Sequence, residues 1–415
     1  MKVLIVNSSD LEGGAARAAN RLHVGLQRVG VESRMLVQSK ESDDRLVQGA
    51  RTPMEKAMSK LRPSLDLIPL KRYPGSQGRI FSPSWLPFSG VVKRINASDA
   101  DVVHLHWVTA GMLRIKDLAG IRKPIVWSLH DMWAFTGGCH YDGECGRYTQ
   151  RCGKCPVLGS DRAQDLSRKV FQRKERTYAR TRLTIVGLSN WMADTARAST
   201  LLKGHRVVQL PNPIDTEVFK PVDKRMAKRL LGLPEERPLV LFGAVNATAD
   251  PRKGFPHLSE ALRTLPPGSV ELGVFGASRP MDPPDLGHPI HYLGRLHDDT
   301  SLCVLYNAAD VTVVPSLQEN LSNTIVESLA CGTPAVGFDI GGNRDMIDDR
   351  SNGGLARPFD PADLADRIRW VLEHPDKERL TDDTRRSAVE RFEQRMVAER
   401  YRRLYTEVIA RDGKD

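Results

Sequence analysis

The sequence predicts an α/β protein made of two doubly wound domains in succession. Three observations point there. Short apolar runs typical of buried parallel strands alternate with helical stretches along the chain. The first run, KVLIVN at 2–7, passes through a glycine turn into a helical stretch, which is how a doubly wound sheet opens. At 415 residues the chain exceeds what one core serves, so two domains of roughly 200 residues are expected.

The elements follow in order. The turn Glu12-Gly13-Gly14 precedes the helical AARAANRLHVGLQRVG at 15–30. RMLV at 34–37, DVVHL at 101–105, PIVWSL at 124–129 and TIVGL at 184–188 supply further strands, the last followed by a helix from Asn190. LPNPIDTEVFKPV at 210–222 is proline-rich and lacks periodicity, the mark of a linker. A second α/β rhythm runs from RPLVLFGAV at 237–245 to PAVGF at 334–338. In ADLADRIRWVLEH, Leu364, Ile368 and Leu372 recur at every fourth position, so this helix is amphipathic. Residues 385–410 read as one long charged helix with Phe392, Val397, Tyr401, Leu404, Tyr405 and Val408 on its apolar side. The expected division is a first domain over 1–208, a linker over 209–222, a second domain over 223–392, and a C-terminal helix over 393–415 packing back on the first domain.

Composition narrows the class. Hydrophobic residues at 40% and charged ones at 27% exclude collagenous, coiled-coil and wholly disordered chains. No apolar run reaches the roughly 18 residues a spanning helix needs, and no cleavable apolar segment follows the start, so a cytoplasmic protein is expected. Six cysteines are too few for a disulfide scaffold. The net charge of +10 is unevenly spread: residues 1–200 hold 32 basic and 18 acidic residues, the remainder 29 and 33. The first half therefore suits an anionic partner, whether a nucleic acid, an anionic membrane or a phosphorylated substrate; a plain solvated basic face fits equally.

Residues 51–98 stand apart. Prolines recur at 53, 63, 69, 74, 83 and 87, with Phe81, Trp85 and Phe88 between them and Glu55 and Asp66 among many bases. Such frequent prolines argue for mostly irregular structure. Aromatic and basic side chains together suit a membrane interface, or an ordinary insertion packed on its domain.

Ligands of open parallel sheets bind beyond the carboxyl ends of strands, so the chemistry is expected just after strands, on both sides of a cleft between the two domains. The richest stretch is PSLQENLSNTIVESLACG at 315–332, leaving the strand VTVV. Glu319 falls in its loop and Glu327 two turns into the following helix. Asn320, Leu321, Ser322 and Asn323 lie between, where backbone N–H groups at a helix start attract phosphate. Taken singly, each glutamate reads as an ordinary loop or exposed helix residue.

Glu-x7-Glu followed by Ser-Leu-Ala-Cys-Gly-Thr-Pro-Ala-Val resembles the signature of family 4 retaining glycosyltransferases. The likeness spans nearly the whole chain. It takes in the Gly13-Gly14 loop, Leu-His-Asp at 129–131, LPNPIDTEVF at 210–219 and DPRKGF at 250–255. It implies the GT-B fold, two Rossmann-like domains facing across a cleft, with the acceptor on the first and a nucleotide-sugar donor on the second. It further implies that Glu327 binds the donor ribose and Glu319 faces the donor sugar. The amides near Leu321 and Ser322 cradle the diphosphate, and Lys253, with Arg252, neutralises it. His130 matches the family's active-site histidine; Asp131 follows it, and His106 ends the preceding strand on the acceptor side. Gly13 and Gly14 let backbone approach a ligand closely. Two departures stand out. Many members carry an arginine shortly before the lysine, where this chain reads Asn246-Ala247. Glu319 is followed by Asn-Leu-Ser-Asn instead of the commoner Gly-Phe-Gly.

These residue types suit glycosyl transfer. Bond breaking builds positive charge on the sugar and negative charge on the leaving diphosphate, which a lysine and a helix start stabilise. No metal is then required, and no Asp-x-Asp motif is placed to hold one. In a retaining family a diphosphate oxygen takes the acceptor's proton. The expected acceptor is a saccharide or a lipid-diphosphate-linked saccharide, in cell-surface polysaccharide assembly, with peripheral contact to an anionic membrane.

Cys139, Cys145, Cys152 and Cys155 fall within seventeen residues and close on Cys-Gly-Lys-Cys, a usual structural zinc knuckle. Reduced thiols, two disulfides or an iron–sulfur cluster are the alternatives. Cys303 and Cys331 read as packing residues. A basic nucleic-acid-binding protein with a zinc knuckle leaves the Glu-x7-Glu loop unexplained. A dinucleotide oxidoreductase lacks its glycine fingerprint after the first strand.

Overall fold

The computed structural model describes residues 1–76, 81–243, 250–296 and 298–412. The chain falls into two compact units, Met1–Asn212 with Arg395–Asp415, and Pro213–Gln394.

Unit 1 is built on seven strands: β1 Lys2–Ser9, β2 Glu32–Ser39, β3 Val47–Gln48, β4 Val102–Leu105, β5 Ile125–Leu129, β6 Leu183–Gly187 and β7 Arg206–Gln209. They are parallel throughout, in the order β3-β2-β1-β4-β5-β6-β7. The strand order reverses between β1 and β4, where Val6 faces Leu105. The exits of these strands form the switch point at which such sheets bind ligands. Every residue of β4 and β5 is buried, as in a sheet covered on both faces. The helices are α1 Gly14–Arg28, α2 Pro53–Asp66, α3 Val91–Ala97, α4 Leu166–Tyr178 and α5 Asn190–Ala198.

Unit 2 repeats the plan with six strands: β8 Leu239–Gly243, β9 Glu271–Phe275, β10 Ile290–Tyr292, β11 Val311–Val314, β12 Ala335–Phe338 and β13 Gly353–Ala356. Their order is β10-β9-β8-β11-β12-β13, again parallel, with the reversal between β8 and β11. Its helices are α6 Lys224–Leu230, α7 Phe255–Arg263, α8 Asp299–Ala308, α9 Asn323–Ala330, α10 Pro361–Leu372 and α11 Lys377–Phe392. A last helix, α12 Gln394–Asp412, takes the chain back into unit 1.

Two stretches differ from expectation. The described part of 51–98 is not mostly irregular, because 53–66 and 91–97 are helices and 68–72 is a 3-10 turn. Thr52 caps the first helix by accepting from Glu55 N at 3.1 Å, and Pro53 sits in its first turn, where a missing N–H costs nothing. Phe81 is buried, and Trp85 donates its ring N–H to Asp66 O at 3.1 Å, so these aromatics pack on the unit. Phe88 alone stands out, 95% exposed. The single helix expected over 385–410 breaks at Glu393, whose φ of −53° and ψ of 135° are extended. There Ile214 N donates to Phe392 O at 2.8 Å, ending α11.

Candidate functional site

Two loops of unit 2 meet beyond the buried strand β11. Leu317 N donates to Arg252 O at 2.7 Å and ties the exit of β11 to the turn at 250–254. Gly254 permits the approach: its φ is +71°, and a Cβ there would sit 1.8 Å from Pro315 O. Beside it, Lys253 Nζ lies 3.7 Å from Glu319 Oε2. From the other side Gly341, at φ +50°, presses on the Glu319 carbonyl, which a Cβ would meet at 1.9 Å. Three backbone contacts thus hold the turn of Lys253 and the loop of Glu319 in place.

Arg252 is less available than expected. Its guanidinium donates to both oxygens of Asp250 at 3.1 and 2.6 Å, and its backbone N–H donates to the same carboxylate. Its charge is largely matched locally, so Lys253 is left as the cation facing Glu319. Asn246 and Ala247 lie outside the described residues.

Ser322 precedes α9 and gives it no side-chain cap. Among the described residues the N–H groups of Leu321 and Ser322 have no hydrogen-bond partner. Asn320, Leu321 and Ser322 are all buried, and Asn323 opens the helix. The Ser316 hydroxyl, buried at the same strand end, is also without a partner among them. Two unpaired N–H groups at a helix start, with a lysine nearby, suit an anion.

Glu327 is buried, not exposed, and its Oε2 accepts from the Tyr306 hydroxyl at 2.7 Å. Burial, followed by the Glu327 charge, pushes the Tyr306 phenol well above its ordinary value. Tyr306, from α8, is the neighbour of Glu327 that sequence reasoning missed; the signal was the one aromatic residue in LCVLYNAAD. Cys303 and Cys331 pack below it as expected, sulfur to sulfur at 3.9 Å.

In unit 1 the exits of β1, β4 and β5 converge. Asn7 accepts from Trp107 N at 2.7 Å, and Ser8 N donates to Trp107 O at 2.9 Å. Gly13 precedes α1 with φ +88°, and nothing lies within 4 Å of where its Cβ would be. Backbone conformation therefore calls for that glycine, not crowding within the protein. Gly14 is already helical. His130 is half-buried after β5, with its Nε2 2.8 Å from His106 Nδ1. Burial holds His130 down to about 4, despite the opposing Asp131 charge. Asp131 accepts from Trp107 Nε1 at 3.0 Å, His140 Nδ1 at 2.6 Å and Trp133 N at 2.8 Å. These bonds brace the loop after β5. The chain's Asp99-Ala100-Asp101 lies at the opposite end of β4, bound to Lys2.

Hydrogen bonds anchor the cysteine loop. Gly137 N donates to Cys152 Sγ at 3.1 Å and Cys155 N donates to Asp165 at 2.8 Å. Cys139, Cys152 and Cys155 are buried and Cys145 partly so, all as free thiols. Among the described residues no three His, Cys, Asp or Glu side chains are arranged to hold an ion. Lys174 is buried nearby, its ammonium on the Trp133 ring and donating to the carbonyls of Trp133 and Thr136.

Comparison with known proteins agrees with this geometry. The profile described as Glycosyltransferase Family 4 matches residues 12–218, and that described as Glycosyl transferases group 1 matches 237–374. D-inositol 3-phosphate glycosyltransferase 2 of Catenulispora acidiphila is 27% identical over 300 residues. The match takes in 68% of this chain but 64% of that relative, so the chain spans under two thirds of its length. Sucrose-phosphate synthase from Thermosynechococcus elongatus superposes with a TM-score of 0.69 at 17% identity, covering 99% of each chain. Anabaena HepE in complex with UDP-glucose gives 0.64 at 17% identity, covering 98% of this chain and all of that one. With two parallel α/β units and both profiles in register with them, the chain belongs to the family 4 glycosyltransferases of GT-B type.

Proposed function

We propose that this glycosyltransferase moves a sugar, with retention and without a catalytic metal, from a nucleotide-diphosphate sugar to a saccharide or lipid-diphosphate-linked acceptor. The observation that carries this is the end of β11, where Lys253, Glu319 and the unpaired N–H groups of Leu321 and Ser322 come together. As the bond to the anomeric carbon breaks, charge on the departing diphosphate falls on that ammonium and those amides. Glu327, steadied by Tyr306, is assigned the ribose hydroxyls. A diphosphate oxygen accepts the acceptor's proton, so no protein base is assigned, and His130 is assigned to the transferred sugar. HepE, which shares the fold, binds UDP-glucose, which makes that the first donor to try. A thermal-shift series of nucleotide sugars tests the reading: one should stabilise the wild type and lose its effect in Glu327→Ala. Stabilisation by none, or equally in both, would count against it.

Membrane contact belongs to the same proposal, but through α2 and not the aromatics. Met54, 78% exposed, Met58 and Leu61, 54% exposed, share one face of α2, with Leu67 and Ile68 exposed just beyond. Lys71 and Arg72 follow Ile68 in the chain, while Lys56 and Lys60 fall on the opposite side of α2. This mixture suits an anionic bilayer. No described helix is long and apolar enough to cross one. Co-sedimentation with vesicles containing anionic lipid should weaken in Met54→Glu with Leu61→Glu. A phosphorylated cyclitol is a second acceptor class, favoured by the relative named D-inositol 3-phosphate glycosyltransferase 2. A structural zinc on Cys139, Cys145, Cys152 and Cys155 also remains a proposal, one that needs the four thiols to close on each other. One zinc per chain by elemental measurement would support it, and none above background would end it.

A further inference from the structure

Three histidines of unit 1 stand in a row at the exits of β4 and β5. The rings of His104 and His106 are 4.2 Å apart between centroids, and those of His106 and His130 are 5.1 Å apart. His104 uses both nitrogens: Nδ1 lies 2.7 Å from the Tyr405 hydroxyl of α12, and Nε2 lies 2.8 Å from Ser128 Oγ. Ser128 Oγ is 3.4 Å from the Tyr401 hydroxyl, which donates to Leu210 O at 3.4 Å. A carbonyl only accepts, so one order of protons satisfies the whole chain. Tyr401 gives to Leu210, Ser128 to Tyr401, His104 Nε2–H to Ser128, and Tyr405 to His104 Nδ1. His104 is thereby a neutral ring fixed at both ends, and His106 rests on it.

His106 offers two possibilities. Its Nδ1 is 2.8 Å from His130 Nε2, while its own Nε2 is buried with no partner among the described residues. If Nδ1 accepted, Nε2 would carry a buried N–H with nowhere to donate. If Nδ1 donates, Nε2 keeps only a bare lone pair. Buried donors left unmade are the rarer case, so the second arrangement is favoured. His130 then accepts at Nε2 and, being neutral, holds its proton on Nδ1.

We infer that His106 is a positioning residue: its Nδ1–H locks His130 as the Nδ1–H tautomer, so that the ring presents a fixed donor to a hydroxyl of the transferred sugar. The link to the sugar rests on the glycosyl-transfer reading; the tautomer does not.

Long-range proton–nitrogen NMR on the full chain labelled at histidine reads the tautomer directly. At neutral pH the wild type should show His130 protonated on Nδ1. His106→Leu should give a mixture of both tautomers, and His106→Asn, whose amide reaches the Nδ1 position, should restore one. With UDP-glucose as probe, kcat should fall at least about tenfold in His106→Leu with KM changed less than about threefold, and recover in His106→Asn. His130 protonated on Nε2 in the wild type, or an unchanged tautomer in His106→Leu, would overturn the inference. If His106→Leu does not fold, the wild-type spectrum and that of His106→Asn decide. Nδ1–H on His130 in a chain that turns over no nucleotide sugar would defeat the transfer reading alone.

Discussion

The two units meet the same task, presenting groups beyond parallel strands, in opposite ways. At the end of β11 the parts are set by backbone. Two glycines at positive φ press loops against Pro315 and Glu319, and the ionic side chains of Lys253 and Glu319 stay 3.7 Å apart and partly open. At the ends of β4 and β5 the parts are set by side chains. Rings and hydroxyls bond one another, buried and neutral, and burial takes His104 down to about 3. One end is therefore built to receive charge, and the other to hold uncharged donors in fixed orientation. Buried imidazoles cannot cheaply become cations.

The largest effect should come from breaking the ionic end. Lys253→Ala is expected to lower turnover about a hundredfold to a thousandfold, the range for removing one preorganised electrostatic partner, with the circular-dichroism spectrum unchanged. Retained turnover would show that the charge on the leaving group is met elsewhere. Glu327→Ala should weaken donor binding about tenfold, the scale of a hydrogen bond to a charged group, and Tyr306→Phe less, by calorimetric titration.

A third experiment sharpens the contrast between crowded and open glycines. Gly13→Ala meets nothing within 4 Å, so only backbone strain should register, about 1 to 3 kcal/mol. Gly254→Ala carries similar strain and a Cβ 1.8 Å from Pro315 O, so it should lower Tm further and displace Lys253. Equal Tm losses would mean that the turn at 250–254 yields freely.

A further effect concerns pH, and it belongs to the neutral end. Burial takes His104 from 6.5 to about 3, with His130 adding, and takes His130 to about 4. Below pH 6.5 the unfolded chain binds protons that the folded chain refuses. Stability present above pH 6.5 should thus be lost progressively as pH falls toward 4. Tm measured from pH 7 to 4 should decline, and a flat profile would mean these rings are charged when folded.

Much of this was readable in the sequence, for definite reasons. Strands such as VTVV and PIVWSL are buried on both faces, so they appear as unbroken apolar runs. Glu319 and Glu327 were legible because they sit in a patterned stretch, and Lys253 because a glycine follows it. What escaped depended on neighbours distant in sequence. α4 is so rich in Lys and Arg that its buried side, with Val170, Phe171 and Tyr178, is hard to see. The frequent prolines hid α2, since Pro53 sits where a helix tolerates it. The partner of Arg252 lay two residues away, yet only the turn's geometry shows that Asp250 takes up its charge. Nothing in DVVHLHW shows that His104 meets a tyrosine 301 residues later.

That last separation bears on biogenesis. Unit 1 emerges first from the ribosome, yet Tyr401 and Tyr405, which complete the bonding of Ser128 and His104, belong to α12. They are synthesised only after all of unit 2. During translation the early half must wait with His104 lacking its phenolic partner, a half-furnished interior that invites chaperone attention. A product truncated before α12 would carry a whole unit 2 beside a unit 1 whose interior is unfinished.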